Sequence, residues 1–246
     1  MCLLCRAGTA ITCRETSRRH FLQSAGGLAA SVALAPAAFA KDTKPVPKPQ
    51  NDISPDRALN RLMKGNARYV EGVSRRHDFK AEREALVGGQ NPYAGILSCA
   101  DSRIAPEYAF DSGRGDLFVC RVAGNFANDD MVASLEYGVA ILNVPLLLVL
   151  GHESCGAVSA TIKSLKDNST LPGHMPSLVD AIAPAVKATM GQPGDPLENA
   201  TRRNVVDNVA KLKSATPILS AAVEGGKLKI VGGIYRLRDG KVELIA

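Results

Sequence analysis

The feature that most constrains the fold is a set of short, continuous apolar runs separated by stretches with helical character. Continuously apolar strands, in contrast to alternating ones, are typical of a parallel sheet covered on both faces. The runs span residues 93–98, 116–121, 145–151 and 228–236, and the helical stretches include 129–142 and 154–165. We therefore expect an α/β fold with a central, mostly parallel sheet of four strands, flanked by helices.

Further elements are expected at both ends of this region. Near the carboxyl end, Asp239-Gly240 separates two strand-like pieces, which is a hairpin signal and predicts an antiparallel edge strand. Before it, residues 168–198 are rich in Pro and Gly around one short helix. At the amino end, Ser54-Pro55 is a typical helix start, and apolar residues follow at helical spacing over 55–71. This N-terminal helical arm needs an apolar surface, from either its own core or a partner subunit.

The amino-terminal segment 1–40 has the pattern of an export signal. Arg18 and Arg19 precede a moderately apolar run that ends in the small-x-small pattern Ala38-Phe39-Ala40. Residues 17–22, S-R-R-H-F-L, resemble a twin-arginine signal. The apolar run is about 16 residues long, short of the roughly 20 that span a bilayer. We expect cleavage, no stable membrane insertion afterwards, and a periplasmic protein.

The remaining chain has the composition of a mildly basic soluble protein. Residues 41–53 are rich in Pro and Lys and are interpreted as a linker, which leaves 54–246 as one domain. Of the net charge of +6, segment 1–40 supplies +3, from four Arg and one Glu. The chain has no Trp and few other aromatic residues, so stacking surfaces for bases are lacking. We expect no nucleic-acid partner.

The cysteines indicate a metal site more than a disulfide framework. Three of the six lie within segment 1–40, and the mature chain keeps Cys99, Cys120 and Cys155. An odd number in an exported protein argues against paired disulfides. Cys120 lies inside an apolar run and is most simply a buried strand residue. Thiols held by a metal would explain how the other two tolerate an oxidising compartment.

Metal-ligating side chains follow two of the predicted strands. Cys99 comes directly after the first strand and His152 directly after the third, and ligands bind beyond the carboxyl ends of parallel strands. Cys155 lies in the first turn of the next helix, where backbone N–H groups favour a thiolate. Two thiolates and an imidazole suit Zn²⁺, and three protein ligands with one open position are typical of catalytic zinc.

An acid and a base stand beside the first of these ligands. Asp101 lies two residues after Cys99 on the same side of an extended chain, and Arg103 can pair with it bidentately. A paired Asp101 stays ionised, off the metal, and can accept a proton, whereas an unpaired one could bind zinc and close the site. The alternative is a surface ion pair worth under about 1 kcal/mol.

The two motifs, C-x-D-x-R at 99–103 and G-H-x-x-C-G at 151–156, together resemble those of the β-class carbonic anhydrases. The resemblance extends over about residues 55–246. It implies reversible hydration of carbon dioxide to bicarbonate and a proton, by attack of a zinc-bound hydroxide. The residues that it implies are the zinc ligands Cys99, His152 and Cys155, and the catalytic dyad Asp101 and Arg103.

The resemblance is to the plant-type subset of that family, whose active site is open. It implies contacts to carbon dioxide or bicarbonate by Gln90, Phe118, Tyr137 and Gly156. It also implies a homodimer or homotetramer with zinc near a dimer interface, Gln90 and Tyr137 reaching across it, and N-terminal helices that wrap around the partner. No residue is assigned as proton shuttle: His77 is a weak candidate, and His174 has no assigned role.

Other functions remain open on the sequence. The same ligand set would serve a hydrolase of carbon disulfide or carbonyl sulfide. A non-catalytic zinc-binding protein would use Asp101 as a fourth, permanent ligand. A redox protein is disfavoured, because Cys99 and Cys155 lack the C-x-x-C spacing.

Overall fold

The computed structural model describes residues 52–246, so the predicted export signal (1–40) and most of the predicted linker (41–53) lie outside the described residues. The helices are α1 (Pro55–Val70), α2 (Phe79–Ala85), α3 (Pro106–Ala109), α4 (Asp129–Ala140), α5 (Gly156–Asp167), α6 (Pro176–Thr189), α7 (Pro196–Lys213) and α8 (Ile218–Glu224). The strands are β1 (Ala94–Ser98), β2 (Leu117–Arg121), β3 (Leu146–His152), β4 (Lys229–Tyr235) and β5 (Val242–Leu244).

The strands form one sheet in the order β2-β1-β3-β4-β5. The first four are mutually parallel, and β5 is antiparallel to β4 at the edge. This confirms the expected α/β architecture. Every residue of β1 and β3 is buried, as expected for central strands covered on both faces. Ser98, the last residue of β1, is in register with Leu150, so Cys99 lies at the level of the last residues of β3.

Helices cover both faces of the sheet. On one face, α1 and the segment around Phe110 pack on Ile96, Leu148 and Leu150. On the other face, α4, α7 and α8 pack on side chains of β1 and β3 that include Leu97 and Val149. A third cluster, with Val158, Ile182 and the cysteines Cys99 and Cys155, lies between α5, α6 and α7. The apolar walls of the site therefore belong to this third cluster.

The N-terminal arm packs on the core of its own chain. Ala58 and Leu62 of α1 are fully buried in the first of these clusters. Asn66 is buried too, and its amide donates to the carbonyls of Ala109 (2.9 Å) and Gly240 (2.8 Å) and accepts from the Val242 N–H (2.9 Å). Of the two surfaces considered from the sequence, the arm's apolar face therefore uses its own core.

The region after residue 167 holds more helix than the sequence indicated. Instead of one short helix, α6 spans 14 residues and contains Pro184, and the 18-residue α7 begins at Pro196. Asp195 caps α7 by accepting from the Leu197 N–H. Cys120 is buried in β2, as expected. Among the described helices, none is both long enough and apolar enough to cross a bilayer.

Candidate metal centre

Three buried side chains meet where β1 and β3 end. Cys99 directly follows β1, His152 is the last residue of β3, and Cys155 caps the amino end of α5. Their ligand atoms all lie within 4.8 Å of one another. Cys155 therefore lies one residue before the helix, whereas the sequence predicted that it lies in the first helical turn. The parallel register of the two strands is what brings residues 53 positions apart to the same edge.

Ser154, in the left-handed backbone conformation, forms the turn between His152 and Cys155. Ser154 has φ of 52°, which is uncommon for a residue other than glycine. This conformation reverses the chain directly after β3, so that the Cys155 sulfur returns to the His152 ring. Such local strain persists only where the surrounding structure enforces it, and it clusters at functional sites.

The His152 imidazole has one nitrogen that is engaged and one that is not. Its Nδ1 lies 2.7 Å from the Glu153 carbonyl oxygen, which can only accept, so Nδ1 carries the hydrogen. Its Nε2 is therefore the lone-pair nitrogen, and this atom is buried without a hydrogen-bond partner. An orphaned, oriented nitrogen beside two sulfurs is what a tetrahedral zinc ion requires.

The two thiols are electrostatically coupled. Hydrogen bonding with Cys155 lowers the pKa of Cys99 strongly, and the Gly124 N–H, 3.3 Å from the Cys99 sulfur, acts in the same direction. The same pairing, together with burial, raises the pKa of Cys155. The sequence had placed the helix-favoured thiolate at Cys155. The N–H groups of α5 favour the thiolate there, while the hydrogen bond with Cys99 and burial oppose it in the metal-free pair. The donor set fits zinc, which binds thiolates and neutral imidazole.

The Asp101 carboxylate is clamped by Arg103. Nε of Arg103 donates to Oδ1 at 2.9 Å and Nη2 to Oδ2 at 2.7 Å, and the Arg103 backbone N–H also donates to Oδ1. These bonds to Arg103 hold the pKa of Asp101 far below its usual range. Arg103 further donates to the Ser154 carbonyl at 3.2 Å, which ties the dyad to the turn between the other two ligand candidates. Oδ2 of Asp101 lies 3.9 Å from Nε2 of His152.

Two asparagines of α7 bind the backbone of segment 124–127, which follows β2 and contacts Cys99. Neither asparagine was predicted from the sequence as a site residue. Asn204 donates to the Gly124 carbonyl at 2.8 Å, and Asn208 accepts from the Ala127 N–H at 2.7 Å. Both amides are buried. A sequence signal existed, because two asparagines four residues apart share a helix face with Val205 and Val209. It could not reveal which segment they contact.

Three of the predicted substrate residues lie away from this cluster within one chain. Gln90 is exposed and precedes β1 at its amino end. Phe118 pairs with Gly95 near the start of β1, which is about 13 Å before the level of Cys99 at the usual rise per strand residue. Tyr137 on α4 lies beside Phe118, with ring centroids 6.3 Å apart, and is half exposed.

The other predicted residues are placed as follows. Gly156 is the first residue of α5, and a methyl group added there would meet no atom within 4 Å, so the space beside it is open. His77 pairs with Glu82 at 2.7 Å in a separate cleft that also contains Asp111. His174 is exposed, and its carbonyl accepts from the Ser177 hydroxyl.

Comparison with known proteins gives a consistent family. Residues 94–242 match the family model described as carbonic anhydrase. "Carbonic anhydrase 2" of Mycobacterium tuberculosis is 38% identical over 194 residues, covering 78% of this chain and 94% of that protein. The carbonic anhydrase of Mycolicibacterium smegmatis is 36% identical over 192 residues, with 78% and 93% covered.

Solved structures agree with the sequence relatives. The β-carbonic anhydrase CcaA superposes with a TM-score of 0.59 at 28% identity, covering 76% of this chain and 95% of that chain. A β-carbonic anhydrase of Sordaria macrospora, described as tetrameric, has the same fold, with a TM-score of 0.60 at 19% identity and 78% and 95% covered.

Fold, donor set and relatives thus define a zinc lyase on an α/β scaffold. The chain belongs to the β-class carbonic anhydrase family. It catalyses the reversible hydration of carbon dioxide with a zinc cofactor, for which the Cys99, His152 and Cys155 side chains are positioned as ligands.

Proposed function

We propose that this enzyme has the open, plant-type active site, in which Asp101 acts as a proton acceptor and is not a metal ligand. The observation that supports this is the clamp by Arg103, which occupies both carboxylate oxygens of Asp101. A carboxylate held in this way is ionised and fixed beside the His152 nitrogen that faces the metal position. An Asp101 that served as a fourth ligand, as in a zinc-storage protein, would have to break this bidentate pair.

Each group of site residues then has a separate role in the reaction. Cys99, His152 and Cys155 would hold zinc, which would supply Lewis-acid chemistry and lower the pKa of a water bound to it. Asp101 would accept the hydrogen of the oxygen that attacks and thereby orient that oxygen's lone pair toward carbon dioxide. Arg103 keeps the Asp101 carboxylate ionised in the resting enzyme, so that it is able to accept. The apolar side chains around Val158 and Ile182 exclude bulk water from the inner wall.

The substrate pocket is completed, in our proposal, by a second copy of the chain. Gln90, Phe118 and Tyr137 lie too far from Cys99 to reach a substrate at the zinc position within one chain. Phe118 belongs to the edge strand β2, and the Tyr137 ring lies beside it. Tyr137 and Ile141 expose 49% and 61% of their surface there. A two-fold pairing along β2 would bring this surface to the partner's zinc, with Gln90 donating to bicarbonate. A homodimer is the minimal assembly, and a homotetramer would pair two such dimers.

The location of the enzyme is proposed from segment 1–40. The paired arginines Arg18 and Arg19 and the Ala38-Phe39-Ala40 pattern support export by the twin-arginine route and cleavage. That route carries folded proteins, so zinc would be acquired in the cytoplasm before the two cysteines meet the oxidising periplasm.

Stopped-flow hydration of carbon dioxide by zinc-loaded residues 41–246 tests the catalytic proposal. The wild-type protein should turn over rapidly, and Asp101→Asn should keep stoichiometric zinc but lose activity by about 100-fold or more, since a general base contributes 10²–10⁴-fold. Full activity in Asp101→Asn would refute the role of Asp101. An inactive wild-type protein that hydrolyses carbon disulfide or carbonyl sulfide would assign the site to those substrates.

A further inference from the structure

Arg121 makes an unusual set of contacts that no role described above uses. It is the last residue of β2, in register with Ser98 of β1. Its Nε donates to the Cys99 carbonyl at 2.9 Å, and its Nη2 donates to the carbonyls of Asp101 at 2.7 Å and Ile104 at 2.9 Å. One guanidinium therefore binds three backbone carbonyls of the loop that carries a metal ligand and the catalytic dyad.

The backbone of this loop makes few other hydrogen bonds that could hold the loop if the three Arg121 bonds were lost. The Ala100 N–H bonds to the Val122 carbonyl at 3.3 Å, and the Ile104 N–H bonds to the Asp101 carbonyl at 3.2 Å, both near the long end of the normal range. The Asp101 carbonyl thus receives its shorter bond, 2.7 Å, from Arg121.

Asp101 is consequently held from two sides. Arg103 binds its carboxylate, and Arg121 binds its backbone carbonyl. Arg103 belongs to the same loop and moves with it, so it cannot anchor the loop as a whole, although its bond to Ser154 adds one external contact. Arg121 lies on the sheet, which is rigid. Arg121 therefore adds three side-chain bonds between the end of β2 and the loop, beside the Ala100–Val122 backbone bond, and one of the three holds the Asp101 carbonyl.

We propose that Arg121 is a positioning residue that keeps the Asp101 carboxylate beside the zinc position and off the metal. The proposal rests on the proposed role of Asp101. A planar guanidinium can serve three carbonyls at once, whereas the compact ammonium of lysine cannot reproduce that fork. Displacement of a reacting group by about 1 Å can cost on the order of 100-fold in rate. Arg121 acts through Asp101 and need not touch the substrate.

The test uses Arg121→Lys and Arg121→Gln in the zinc-loaded enzyme and in the same proteins loaded with Co²⁺, whose visible absorption reports the metal's ligands. Both variants should bind one metal per chain. We expect kcat/KM for carbon dioxide to fall about 10- to 100-fold, as for other outer partners of metal sites, with most of the loss in kcat. We also expect the Co²⁺ spectrum to change, because a loop that has lost the Arg121 bonds can shift, so that the Asp101 carboxylate leaves its pair with Arg103 and reaches the metal in part of the molecules.

Combination with Asp101→Asn separates positioning from general support of the fold. If Arg121 acts through Asp101, Arg121→Lys should not change the Co²⁺ spectrum of Asp101→Asn. Arg68→Lys is the matched control, because Arg68 also binds a buried partner, Asp111, but on a surface outside the metal centre. It should lower thermal stability while leaving kcat/KM and the Co²⁺ spectrum unchanged.

Three outcomes would overturn the proposal. Unchanged kcat/KM and an unchanged Co²⁺ spectrum in both Arg121 variants would show that the bonds from Arg121 to the loop are dispensable. A spectral change of the same size in the Asp101→Asn background would show that Arg121 acts on another group. Loss of metal or of fold in both variants would assign Arg121 to Cys99 or to folding. Failure of the proposed function itself is seen separately, as an active Asp101→Asn variant.

Discussion

Gly124 links the metal centre to α7, and replacing it with alanine should disturb both stability and zinc binding. Its N–H donates to the Cys99 sulfur at 3.3 Å, and its carbonyl accepts from Asn204 at 2.8 Å. Gly124 has φ of +87°, and a Cβ there would lie 2.5 Å from the terminal methyl group of Ile182, which is fully buried. Alanine must therefore adopt a disfavoured backbone conformation and displace a core side chain.

The magnitude follows from these two effects. A left-handed conformation costs a residue other than glycine about 1–2 kcal/mol, and overpacking a core costs about 1–3 kcal/mol. The Gly124→Ala variant should thus lose about 2–5 kcal/mol of unfolding free energy. For a chain of this size each kcal/mol lowers Tm by about 2–4 °C, so we expect a fall of about 4–20 °C. A shifted N–H should also weaken zinc binding by roughly tenfold or more.

Thermal unfolding of the zinc-loaded protein and competition with a chelator measure the two effects. Gly173→Ala is the matched control: Gly173 has φ of +63°, but its added Cβ would meet no atom within 4 Å. It should show the backbone cost alone, about 1–2 kcal/mol, with unchanged zinc affinity. If Gly124→Ala matched Gly173→Ala in both measurements, the argument that Gly124 supports the Cys99 thiolate would be wrong.

Two further predictions concern the core and acid stability. In α1, Gly65→Ala would place a Cβ 1.9 Å from the Phe110 carbonyl oxygen, so it should lower the free energy of unfolding by about 3 kcal/mol or more in denaturant titrations; a neutral effect would contradict the packing of the arm. Burial raises the pKa of Asp111, but Arg68 and the Arg75 N–H outweigh it and leave that pKa below the usual 3.8. Its stabilisation is therefore complete above about pH 4 and is lost as pH falls through the lower, folded-state pKa. Asp111→Asn should cost about 3 kcal/mol at pH 7 and flatten the acid limb of the stability profile, and a parallel profile would refute this.

Much of the fold followed from local patterns. The four parallel strands and the antiparallel edge strand were predicted, because continuous apolar runs and a hairpin signal are legible without tertiary contacts. The longest of the helices within residues 52–246, α7, was not predicted. Its buried positions include Asn204 and Asn208, and polar residues on a buried face weaken the amphipathic pattern that would have indicated the helix.

The candidate site divides in the same way. The convergence of Cys99, His152 and Cys155 could be predicted, since neighbouring parallel strands deliver their following residues to one edge. The Asp101–Arg103 pair could be predicted as well, because the two residues are close neighbours in the chain. The donor that the Gly124 N–H supplies to the Cys99 sulfur could not, since this N–H comes from a loop 25 residues further along the chain.

The sequence by itself determined the parallel character of the sheet, the kinds of donor at the site and the chemistry that they support, because these depend on residue type and short spacing. Only the tertiary structure determined which distant side chains hold the metal ligands and the catalytic residues in position. Arg121 reaches the loop from 17 to 22 residues away, and Asn204 reaches Gly124 from 80 residues away. The physical reason is that the packing of helices and strands sets the hydrogen-bond geometry between distant segments. Such contacts produce no periodic pattern in the amino-acid sequence from which they could be predicted.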